Sequence, residues 1–267
     1  MMICYNECIL SQRGNIVKIK RNQDLHIRKS KQHVVAFIHG IFSSPTQYEE
    51  LIEQFEKFDY SIYAISLQPH SEDPKEYLNL HKDSWIEQVN ETLDLLLRKY
   101  ENVYIISHSL GGLLSIEYEH INQIKKLVLW APALKPKVTF KSIRIGFMSS
   151  DKHQDDEYLE FCRTKGSVTP RNLAEKAYLL KPTLHLMYNV KNARKKLKDV
   201  HIPTLVIISK KDESVQFSTG KLTEKEMDCS EFRLLELKNS YHNDFSEEER
   251  ELAYTQIIEF ITKKEAN

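Results

Sequence analysis

The segment Val103-Tyr104-Ile105-Ile106-Ser107-His108-Ser109-Leu110-Gly111-Gly112 carries the residues best suited to chemistry. An apolar run leads directly into Ser-x-Ser-x-Gly, and a helical pattern follows. That strand–turn–helix context presents the central serine, Ser109, as a nucleophile. The turn is so tight that the residues two before and two after it must be small. Ser107 and Gly111 meet the requirement, with Ser107 standing where glycine is more usual. The chain has only 7 glycines, against an average usage of about 7%. Two of them fall here and a third, Gly40, falls in a second motif, so chance is a poor explanation. Taken alone, Ser-x-Ser-x-Gly reads equally well as a plain tight turn. The strand before it and the helix after it favour the chemical reading.

A serine nucleophile needs donors for the developing oxyanion and a base oriented by an acid. One donor is the backbone N–H of Leu110, just after the serine. The other falls at Ile41, in Phe37-Ile38-His39-Gly40-Ile41-Phe42, where Gly40 lets the backbone approach closely. The expected chain order is serine, acid, histidine. Asp212 lies just past the apolar run Thr204–Ser209, at the strand end where catalytic groups gather in open parallel sheets. Glu213 stands beside it as a competitor. The other usual place for the acid, Trp130-Ala131-Pro132, has no carboxylate. His242 is the only histidine after His201, so that order leaves it as the base. His108, beside the nucleophile, suits packing or pocket lining better than proton transfer.

These side chains must be carried by a sheet. Runs at 33–39, 60–66, 102–107, 126–130, 204–209 and 232–237 read as strands. Helical patterns fall between them at 45–57, 85–97 and 110–119, with a terminal helix at about 246–262. The alternation predicts an α/β fold with a mostly parallel sheet covered on both faces. Residues 1–30 suit an antiparallel hairpin or edge strand, with a turn at Gly14-Asn15. Regularity lapses from about 133 to 203, which reads as a mainly helical insertion. Its apolar residues could line an apolar pocket, though most of them suit a small core of their own. Its basic run from Lys191 to Lys198 could meet an anionic substrate or membrane, but better suits a solvated helix face. The expected division is a core of 1–132 and 204–267 with an insertion at 133–203.

Composition narrows the classes. Lys+Arg and Asp+Glu both number 38, which argues against a broad nucleic-acid-binding face. Cys4, Cys8, Cys162 and Cys229 match no zinc spacing and suit free thiols in a reducing, cytoplasmic setting. The N-terminal residues have no secretory pattern, and no apolar run is long enough to insert stably in a bilayer.

With these motifs assembled, the chain resembles the bacterial carboxylesterase and monoacylglycerol lipase branch of the α/β-hydrolase superfamily. The resemblance rests on Phe37-Ile38-His39-Gly40-Ile41, on Ser107-His108-Ser109-Leu110-Gly111-Gly112, on Ile202–Ile207 leading to Asp212, and on Ser240-Tyr241-His242. It covers roughly 33–132 and 200–262. It implies an α/β-hydrolase core with 133–203 as a cap over the site. It also implies hydrolysis of small-molecule carboxylic esters of short to medium chain through Ser109, His242 and Asp212, with no metal or organic cofactor. Many relatives carry Gly-His-Gly after the second core strand, whereas this chain has Leu67-Gln68-Pro69-His70-Ser71, so its pocket is expected to differ. An amidase, peptidase or thioesterase on the same triad, or a binding protein of the same fold, are the competing expectations. Oligomeric state is left open.

Overall fold

A computed structural model describes residues 19–20, 22–69, 73–137 and 173–263. The turn expected at Gly14-Asn15, three of the cysteines (Cys4, Cys8, Cys162) and much of the insertion lie outside them. So do His70 and Ser71.

Seven strands form one sheet in the order β1-β3-β2-β4-β5-β6-β7. They are β1 (Leu25–Ile27), β2 (His33–Ile38), β3 (Ser61–Ile65), β4 (Asn102–His108), β5 (Lys126–Trp130), β6 (Thr204–Ser209) and β7 (Phe232–Leu237). β1 pairs antiparallel at the edge, the edge-strand form of the expectation for 1–30. The other pairings are parallel. Alternate residues of β2 enter different cores: Val34, Ala36 and Ile38 join one cluster, Val35 and Phe37 the other. A strand buried on both faces must be apolar throughout, which is why β2 reads as a continuous β-branched run.

Helices α1 (Glu49–Phe55), α2 (Ser84–Lys99) and α3 (Leu110–Glu117) follow β2, β3 and β4. The helix expected over 45–57 divides into a 3₁₀ turn, Pro45–Tyr48, and α1. A second 3₁₀ turn, Pro74–Asn79, lies within the expected loop of 68–81, and the Asp73 side chain accepts from Lys75 N–H at its start. In α2, Trp85, Val89, Leu93 and Leu96 are buried at helical spacing, each apolar side chain contributing roughly 1.5–3 kcal/mol by leaving water.

The described part of the insertion is helical: α4 (Leu173–Tyr178), α5 (Leu180–Lys196) and a 3₁₀ turn, Leu197–Asp199. α5 buries Leu186, Val190 and Ala193 in the cluster that holds α2 and α3. Its basic run, Lys191 and Arg194 to Lys196, is exposed, as a solvated face should be. Leu180, Leu184 and Met187 are also exposed. α6 (Thr219–Glu226) follows β6, and α7 (Glu247–Thr262) closes the chain, packing with α1 on the opposite face.

From β2 the chain passes to β3 on one side and then crosses to β4 on the other. The crossing leaves a crevice beyond the ends of β2 and β4, where open α/β sheets bind ligands. Ile38 of β2 lies opposite Ser107 of β4, so the Gly40 and Ser109 turns emerge side by side.

Candidate active site

Ser109 ends β4 and begins α3 with φ 53° and ψ −112°. A residue other than glycine in that region is strained by roughly 1–3 kcal/mol. The surroundings hold it there: Ser109 N–H donates to Trp130 O at 3.0 Å. A Cβ on Gly111 would stand 2.1 Å from the Ile38 carbonyl oxygen, so α3 runs against the end of β2 as only glycine allows. Ser107 is fully buried, its hydroxyl donating to Val128 O at 3.1 Å, so a small polar residue serves where glycine is usual.

The two expected oxyanion donors sit on peptide groups fixed from behind. The Ser109 carbonyl shares its peptide with Leu110 N–H, and it accepts from Gly112 N–H at 3.1 Å and Ala133 N–H at 3.2 Å. The Gly40 carbonyl shares its peptide with Ile41 N–H. It accepts from Ser43 N–H at 3.3 Å and from His39 Nδ1 at 2.8 Å. His39 Nε2 accepts from Leu67 N–H at 3.0 Å, so the ring carries its proton on Nδ1. Burial lowers its pKa to about 4 against the raising effect of the Gly40 hydrogen bond, and the ring is neutral. In a trans peptide the N–H points away from the carbonyl. Neither Ile41 nor Leu110 N–H donates to another group among the described residues. A Cβ on Gly40 would meet Ser109 Cβ at 3.2 Å, which sets the two loops in contact.

Asp212 follows β6 and His242 follows β7. Both are buried, and His242 Nδ1 lies 2.8 Å from Asp212 Oδ2. Asp212 Oδ1 accepts from Ser214 and Val215 N–H at 2.8 and 2.7 Å. Burial raises the carboxyl pKa, but the His242 hydrogen bond and charge and the two backbone donors outweigh it, leaving the group below its usual range. Its competitor Glu213 is exposed and accepts the His242 backbone N–H at 2.9 Å. The two carboxylates therefore divide between the ring and the main chain of one histidine.

His108 ties Ser109's strand to the histidine loop. Its Nε2 lies 3.1 Å from His242 O, and the two ring centroids are 4.6 Å apart. Sequence reasoning placed it as a packing or pocket residue and missed this bond. It also missed Glu249 at the start of α7. That carboxylate accepts from the Lys238 and Asn239 N–H groups and from Ser240 Oγ, the last at 2.6 Å. Burial raises its pKa, but those donors outweigh burial and hold it low. The Ser240 carbonyl accepts from Ser209 Oγ. The acidic opening of α7 was the available signal for Glu249, since carboxylates are favoured at helix N-termini.

The root of the insertion crosses between these loops. Ala133 bonds Ser109, Lys137 N–H donates to Ser214 O at 2.7 Å, and Lys137 Nζ donates to the Asp212 carbonyl. Among the described residues no group of three or more His, Cys, Asp or Glu side chains could hold a metal ion, and no helix is long and apolar enough to cross a membrane.

Comparison with known proteins finds hydrolases. The sequence profile of the hydrolase family described as serine aminopeptidase, S33, matches residues 29–156, a little under half of the chain. The thermostable monoacylglycerol lipase of Bacillus sp. (strain H-257) is 21% identical over 86% of this chain and 90% of its own length. The carboxylesterase of Bacillus subtilis (strain 168) is 21% identical over 88% of this chain and 94% of its own. A solved structure of the metagenome-derived lipolytic enzymes LipS and LipT superposes with a TM-score of 0.71 at 20% identity, over 91% of this chain and 98% of that one.

Proposed function

We propose that this chain, which has the α/β-hydrolase fold and is similar to lipases and carboxylesterases of that fold, is a serine hydrolase of short- to medium-chain carboxylic esters. One observation carries the reading. A serine in a strained strand-to-helix turn follows directly on His108, whose ring lies 4.6 Å from that of His242, and His242 is bonded through Nδ1 to a carboxylate at 2.8 Å.

In the proposed mechanism His242 Nε2 takes the Ser109 hydroxyl proton as Oγ attacks the ester carbonyl. Asp212 keeps the other ring proton on Nδ1 and stabilises the imidazolium that forms. The N–H groups of Ile41 and Leu110 receive the tetrahedral oxyanion. Their carbonyl partners hold both peptides in place before substrate arrives, so little reorganisation is needed at the moment of reaction. His242 returns the proton to the leaving alcohol and then activates water to cleave the acyl-enzyme. No step needs a metal or organic cofactor. Residues 133–203 act as a cap, a role supported by a root that runs from Ser109 to the Asp212 loop. A reducing, cytoplasmic setting suits the half-buried free thiol of Cys229.

The profile named for a serine aminopeptidase favours a second reading, amide cleavage by the same residues. Both are tested by hydrolysis of p-nitrophenyl esters of increasing acyl length beside amino-acid p-nitroanilides. Ester turnover is expected, falling roughly 10⁴-fold or more in Ser109→Ala. A fluorophosphonate probe is expected to label Ser109 and nothing in the alanine variant. Labelling at another residue, or none in a folded sample, overturns the assignment. Turnover of anilides alone moves the substrate class to amides.

A further inference from the structure

His242 is held by more than its ring. The peptide before it and the peptide after it are each bonded to a titratable side chain from a different part of the fold. Glu213, from the loop after β6, accepts the His242 N–H at 2.9 Å. His108, at the end of β4, meets the His242 carbonyl at 3.1 Å through Nε2. A carbonyl oxygen only accepts, so Nε2 must carry the ring proton.

That requirement explains an otherwise costly feature. His108 Nδ1 is buried with no hydrogen-bond partner among the described residues. In a neutral ring with its proton on Nε2, Nδ1 is a bare acceptor. The absent Cβ of Gly40 leaves room for it, since a Cβ there would stand 2.9 Å away. A charged ring would place a second N–H in that unpartnered position. Burial first, then the neighbouring His242, drive the pKa to about 3, with His39 also opposing charge and Asp212 favouring it. The tautomer needed to bond His242 is the one the site enforces.

We propose that His108 and Glu213 are positioning residues that clamp the main chain of His242 from both sides, setting where its ring meets Ser109. The inference rests on His242 being the base proposed above. His108 belongs to the strand that delivers the nucleophile, so the clamp refers the base directly to Ser109's own backbone. Glu213 adjoins Asp212, so it refers the base to the acid.

The test uses the full-length protein with His108→Phe, His108→Gln, Glu213→Ala and Glu213→Gln. Phenylalanine keeps a ring against His242 but has no donor, whereas glutamine restores an N–H at similar reach. Ester kinetics and the far-downfield NMR signal of the proton between His242 Nδ1 and Asp212 are the two readouts. In H108F and E213A kcat is expected to fall ~10- to 100-fold with KM nearly unchanged, because small misplacements of reacting groups cost that much. The downfield signal is expected to broaden. H108Q and E213Q are expected to recover most of both. Wild-type turnover and signal in H108F and E213A would overturn the clamp, as would equal damage in H108F and H108Q, which marks packing alone. Glu213 is exposed, so E213A and E213Q carry the test if His108 variants fail to fold. If the wild type turns over no ester and Ser109 takes no probe, the functional reading fails and the NMR signal alone decides the clamp.

Discussion

A Cβ on Gly111 would stand 2.1 Å from the Ile38 carbonyl oxygen and 2.9 Å from that of His39. Both obstacles are backbone at the C-terminal end of β2, so neither yields cheaply. On Gly40 the obstacles are side chains: His108 Nδ1 at 2.9 Å and Ser109 Cβ at 3.2 Å. The same added methyl should therefore act differently at the two positions. Gly111→Ala is expected to lower the melting temperature by roughly 5–10 °C, as overpacking of a rigid site does. Gly40→Ala is expected to cost no more than ~1 kcal/mol of stability while slowing fluorophosphonate labelling of Ser109 about tenfold or more. Thermal melts and labelling rates on the two variants check this. A larger stability loss in G40A than in G111A would contradict it.

The β-strands that carry the site were legible because burial on both faces leaves no choice but apolar, β-branched runs. The Ser109 turn was legible because its geometry demands small residues at 107 and 111. α6 was not. Its fully packed residues are Thr219, Gly220 and Thr223, and Leu222 is its one large apolar residue against the core, too few to make the stripe that marks a helix. Gly220 is there because a Cβ would lie 2.3 Å from Ile208 Cδ1, so the helix sits tight on β6. The contacts that steady His242 were hidden for a related reason. They join residues up to 134 positions apart, and no local pattern announces them. α3 shows the same kind of concealed contact with α5. Glu117, at the end of α3, is buried, and its backbone carbonyl accepts from Lys196 Nζ at 2.7 Å. Burial pushes its carboxyl up to about 7, with the Asn192 hydrogen bond and Lys196 only partly opposing. The folded chain therefore binds this proton more tightly than the unfolded chain, whose carboxyl titrates near 4.5. The stabilising proton is present at pH 4.5 and is lost as pH rises through about 7. Glu117→Gln removes that penalty. Its stability relative to wild type is expected to rise with pH across this window by up to ~1.4 kcal/mol per pH unit. Urea unfolding of both proteins at pH 5 and pH 8 measures it, and an equal difference at the two pH values would refute it.

At the scale of the whole molecule, the question is whether the insertion and the core unfold together. The inner face of α5 shares its cluster with α2 and α3, while α1 and α7 pack on the other side of the same sheet. The two tryptophans report from these two sides. Trp85 is buried in α2 with its ring 6.4 Å from His185 of α5. Trp130 ends β5 against Phe245 at 4.6 Å and Tyr254 at 6.0 Å. Trp85→Phe and Trp130→Phe therefore leave one probe on each side. If α5 is a structural part of the core, loss of its packing exposes α3 and withdraws support from the Ser109 turn. Neither side then persists without the other. The expected outcome is one transition: in each variant, the urea midpoint from the remaining tryptophan coincides with that from far-UV circular dichroism. An insertion that detaches first would instead shift the Trp85 fluorescence at lower urea than the circular dichroism, while Trp130 followed the main transition. Coincidence in both variants would make α5 a fixed part of the core that supports the Ser109 turn through α3, and not a detachable piece of the insertion.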